Sequence, residues 1–98
     1  MNARELAQQA IEYQKNNPDY QIGGAIYQII DRLTRDEKIE IINTDERSRQ
    51  ALVRNLTTGK DRKGEPRTER EQKQDVQNLE NAVYAEIDAS VIKIKTGR

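Results

Sequence analysis

A helix-start signature occurs three times in this chain, and no other feature constrains its fold as strongly. Glu5 follows Asn2 by three residues, Glu37 follows Thr34, and Glu71 follows Thr68. In such a capping box the first side chain accepts from a backbone N–H one turn ahead, and the acid reaches back to the cap's own N–H. The boxes satisfy donors that the first turn of a helix leaves unpaired. The expected class is therefore mainly α, a small domain of four to five helices.

Apolar spacing assigns the elements. Residues 2–16 read as the first helix, with Leu6, Ala10 and Tyr13 at helical intervals and Ala3, Ala7 and Ile11 beside them. Asn16-Asn17-Pro18-Asp19 ends it, because Pro18 turns Asn17 away from helical angles. Asp19 is expected to cap a second helix over 19–33, in which Ile22, Ile26, Ile29, Ile30 and Leu33 share a face. Gly23-Gly24 has two readings: it admits a close helix neighbour, or it delays the helix start to near Gly24. No Walker or Rossmann spacing surrounds the pair, so it is not read as a phosphate cradle.

Thr34 opens a short third helix over about 35–43. Lys38-Ile39-Glu40-Ile41-Ile42 also fits a strand, since isoleucine is β-branched. In the tail, Ile92 and Ile94 alternate with Lys93 and Lys95. A short β-strand pair, 38–42 with 91–95, therefore stands beside the helical reading of both segments. Thr44 is expected to cap a fourth helix over about 45–58, with Leu52, Val53 and Leu56 inward and Gly59 just past its end.

Residues 59–75 carry no apolar group except Pro66 and two glycines. Such a stretch buries nothing, and 59–68 reads as a mobile charged linker. It divides an N-terminal helical unit, 1–58, from a C-terminal helix and tail, 69–98, within one small domain. Beyond it Val76, Leu79, Val83, Ile87 and Val91 follow at intervals of three, then four. They form either an intramolecular packing stripe or a seam for a partner helix.

The side-chain inventory excludes most chemistry. There is no cysteine and no histidine, so thiolate chemistry and the commonest general base and metal ligand are missing. Ser48 lies between Arg47 and Arg49, which cannot act as bases. Asp36, Glu37, Asp45 and Glu46 fall at helix N-termini, where acids favour the helix dipole and need no further role. No catalytic residue, metal, cofactor or small-molecule substrate is expected. No apolar run approaches the roughly 20 residues of a membrane span, and the first residues lack a signal-like apolar core. A cytoplasmic protein without membrane association is expected.

Charge is balanced overall, seventeen basic against seventeen acidic, but not locally. Residues 1–46 hold five basic and nine acidic groups, net −4, and residues 47–73 hold nine and four, net +5. Such a chain points to charge-complementary association. The first expectation is a non-enzymatic protein-interaction module, an adaptor, assembly factor or inhibitor, that binds a protein partner or a second copy. Its interface would comprise Val76, Leu79, Val83, Ile87 and Val91, with Tyr20 and Tyr27 as aromatic anchors. The alternative is a nucleic-acid-binding regulator that sets Arg47, Arg49, Arg54, Lys60, Arg62, Lys63, Arg67 and Arg70 on phosphates. Against it stand a pI near 6.3 and the lack of aromatics among the basic residues.

Overall fold

The computed structural model describes residues 2–97, in which five helices form: α1 (Ala3–Asn16), α2 (Ile22–Asp31), α3 (Arg35–Ile41), α4 (Glu46–Thr58) and α5 (Glu69–Thr96). Thr34 and Thr68 form complete capping boxes with Glu37 and Glu71, and the Asn2 side chain accepts from the Glu5 N–H at 2.9 Å. Two caps fall elsewhere than expected. Asp45, not Thr44, caps α4, taking both the Ser48 N–H and its hydroxyl at 2.8 Å. Asp19 caps nothing: α2 begins at Ile22 behind Gln21, which makes no side-chain cap bond.

Both readings of the glycine pair hold in part. The helix starts late, though ahead of Gly24, and Gly23 lies where α2 meets α5. A methyl group added at Gly23 would sit 2.8 Å from the Tyr84 hydroxyl.

Among the described residues no β-strand forms, so the strand pair 38–42 with 91–95 is corrected to helix. The capping box commits 35–41 to helix. Ile39 and Ile41 point inward from it, and extended backbone at Ile42 turns that side chain inward too. At the tail, Val91 continues the buried spacing from Ile87, while Ile92 is left 56% exposed. Lys93 and Lys95 then occupy the last turn, where cations suit the helix dipole.

α5 is the spine. Its 28 residues span about 42 Å, close to the 46 Å long axis of the molecule. It packs against all four other helices, and α1 and α2 pack on each other. Its buried apolar residues are Leu79, Val83, Ile87 and Val91, each four residues apart. A step of four overshoots one turn by about 40°, so the stripe winds around the helix. Glu80 accordingly reaches Lys38 of α3, Tyr84 meets Tyr27 of α2, and Ile94 shares a groove with Ile11 of α1. Leu6, Ile26 and Ile30 complete the centre of the core.

Composition misleads at 59–67. The segment is a hydrogen-bonded hairpin, with Lys60 bridged antiparallel to Pro66. Asp61 Oδ1 accepts the N–H groups of Lys63 (2.8 Å) and Glu65 (3.0 Å), and the Arg67 N–H donates to the Gly59 carbonyl at 2.7 Å. Gly59 ends α4 at φ +66°, as expected of a terminal glycine.

Candidate functional site

The C-terminal stripe is not a free surface. Leu79, Val83, Ile87 and Val91 are buried in the chain's own core, so these four side chains are not available as an interface. Val76 is 40% exposed and stands off the stripe. The polar Asp75 takes its place at the four-residue interval, buried because Arg67 reaches it with two bonds of 2.7 and 3.0 Å.

Tyr20 and Tyr27 do not share one helical side of α2 as a pair. Tyr20 precedes the helix and meets Tyr13 edge-on at 5.3 Å, with Arg32 over the Tyr13 ring, whereas Tyr27 lies 4.9 Å from Tyr84. Burial, reinforced by the Tyr20 hydroxyl, pushes the Tyr13 phenol above its ordinary range. Burial, and after it the charge of Asp88, does the same to Tyr84. These pairings make the tyrosines part of the packing, with Tyr20 and Tyr27 exposed at its margin.

The basic residues separate into three groups. Arg49 and Arg67 are structural. Arg49 Nη2 donates to the Ile42 carbonyl at 2.9 Å and closes the α3–α4 turn. Arg67 pairs with Asp75 and Glu71 and anchors the hairpin to α5; hydrogen bonding to Asp75 holds its guanidinium still more firmly protonated. Lys60, Lys63 and Arg70 are exposed and spread over the hairpin and the start of α5. Arg47, Arg54 and Arg62 converge: together with Gln50 and Ala51 they line one hollow of about 310 Å³.

The outward face of α4 carries a second hollow, and Gln50 and Arg54 line both. It measures about 380 Å³ and is walled mainly by carbon atoms of Arg49, Val53, Arg54, Thr57 and Thr58. Val53, expected inward, is 38% exposed and lines this hollow, while Leu52 and Leu56 pack on the core. No residue of α4 is fully buried. α4 packs on α5 and is tied to α3 where Arg35 donates to the Leu56 carbonyl at 2.8 Å, while Val53 faces outward.

Sequence reading missed this face because it assigned Val53 to the core and 59–68 to a mobile linker. A signal was present. Arg47, Gln50, Ala51 and Arg54 recur at the three- and four-residue intervals of one helix face. Asp61-Arg62-Lys63-Gly64 has Asp first and Gly fourth, the pattern of a tight type I turn. That turn brings Arg62 back beside α4.

Among the described residues no three Asp or Glu side chains gather as a metal ion would require, and no helix is long and apolar enough to cross a membrane. Comparison with protein families, with curated proteins and with solved structures gives no match for this chain.

Proposed function

We propose that the chain is a non-enzymatic protein-interaction module that docks an acidic, amphipathic segment of a protein partner on the outward face of α4. The carrying observation is the pair of hollows that share Gln50 and Arg54, one apolar and lined by Val53, the other ringed by Arg47, Arg54 and Arg62. An apolar side chain fits the first, and a neighbouring anionic group complements the second. An adaptor, an assembly factor and an inhibitor can all work through such a face.

The test is fluorescence anisotropy with a labelled peptide that places a leucine beside a run of glutamates. Saturable binding is expected. Val53→Asp, an exposed change, should weaken it by at least about tenfold, through loss of the apolar contact and repulsion of the acidic peptide. Binding that ignores both Val53→Asp and Arg54→Gln would contradict the assignment.

The α3–turn–α4 arrangement favours a second reading. Two consecutive helices joined across 42–45 present Arg47, Gln50 and Arg54 from the second helix, the outline of a helix-turn-helix. In that reading the face contacts a nucleic-acid duplex, and affinity falls steeply with salt.

A further inference from the structure

We infer that the hollow between α4 and the hairpin binds a phosphate monoester, a group carried by the acidic protein segment that docks on α4; the inference rests on that docking reading. Arg47 and Arg54 flank the hollow from α4, Ala51 keeps its floor low, and Arg62 closes it from the hairpin. Among the described residues none of these three guanidiniums forms an ion pair. The Nε of Arg54 is buried with no hydrogen-bond partner. Neighbouring carboxylates make hydrogen bonds rather than ion pairs with these arginines. Glu46 accepts from the Gln50 amide at 3.2 Å, and Asp61 holds the backbone of the hairpin turn.

Three guanidiniums around one concavity repel each other until an anion sits among them. A phosphate monoester is close to a dianion at neutral pH and offers three strong acceptor oxygens, which suits three forked donors. A phosphodiester backbone instead presents single charges in a row and needs a track of cations. Here the track is interrupted, because Arg49 is held by the Ile42 carbonyl and Arg67 by Asp75. The site is a single corner, and a monoester fits it better than a nucleic-acid strand.

The test titrates the full-length ¹⁵N-labelled chain with N-acetyl-O-phosphoserine amide. Dimethyl phosphate and N-acetylglutamate amide serve as comparison probes. Saturable shifts are expected at the amides of 47–54 and 60–64, at least about tenfold tighter for the phosphoserine probe than for either comparison. Arg62 is exposed on the hairpin, so Arg62→Gln should leave the melting curve in place while weakening that probe about tenfold, and Arg62→Lys should recover only part of the loss. Equal responses to all three probes, no response, or indifference to both Arg62→Gln and Arg54→Gln would overturn the site. If the unphosphorylated acidic peptide binds with its Val53 dependence while the phosphoserine probe does not, the phosphate site alone falls. Phosphoserine binding without peptide binding would support the site and contradict the docking reading.

Discussion

Gly23 shows how one side chain decides the approach of two helices. Alanine favours a helix interior by about 1 kcal/mol over glycine. At Gly23 that gain meets the Tyr84 hydroxyl, 2.8 Å from the new methyl group, whereas at Gly24 it meets only the edge of the exposed Tyr20 ring at 3.3 Å. Urea and thermal melts should therefore show Gly24→Ala stabilising by somewhat less than about 1 kcal/mol and Gly23→Ala destabilising. In a Tyr84→Phe background, with the hydroxyl gone, Gly23→Ala should turn stabilising. The same scale separates Ile87 from Val76, both on α5. Ile87→Ala empties a fully buried site and should cost about 2–5 kcal/mol, while Val76→Ala should stay within about 0.5 kcal/mol. The sequence placed both on one stripe. Distinguishing them needs the knowledge that Asp75 is buried, and only the Arg67 clamp, formed by a turn eight residues away, makes that tolerable.

At the scale of elements, capping was the most legible signal. Residues one turn apart specify it locally, so four of the five helix starts fell within one residue of expectation. The exception is α2, where no side chain caps the helix. The hairpin was illegible by composition because its order comes from backbone bonds to Asp61 and from the Arg67 anchor, not from apolar burial. The caps also carry the acid response. Backbone N–H groups of Thr34, Ser48 and Thr68 hold Glu37, Asp45 and Glu71 below the ordinary carboxylate range. A carboxylate depressed in the folded state contributes stability that is complete above its unfolded pKa and is lost as the pH falls through the folded value. Melting temperature should hold from pH 7 to about pH 5 and decline below about pH 4. Glu71→Gln should melt below the parent chain at pH 7, and the gap should narrow as the pH falls through the depressed pKa of Glu71, where the carboxylate it replaces takes up a proton. A gap that is constant with pH would contradict this role of the cap.

Over the whole molecule, one long helix consumes the apolar stripe that sequence reading offered to a partner, and the free face moves to α4. The α5 spine fixes this outcome. It buries Leu79, Val83, Ile87 and Val91 against the chain's own helices and packs on α4, whose Val53 stays exposed. The charge asymmetry visible in the sequence thereby becomes spatial, since Arg47, Arg54 and Arg62 converge while Arg49 and Arg67 serve the framework. Anisotropy of the intact chain with the labelled acidic peptide and with labelled duplex DNA, side by side, tests what this face binds. The salt would be about 50 mM and about 200 mM, a range over which several phosphate contacts cost about 10³-fold or more. Saturable peptide binding is expected, losing far less than this over the same range and failing in Val53→Asp. Tight DNA binding with the steep slope, and no peptide binding at either salt, would contradict it and install the helix-turn-helix reading instead.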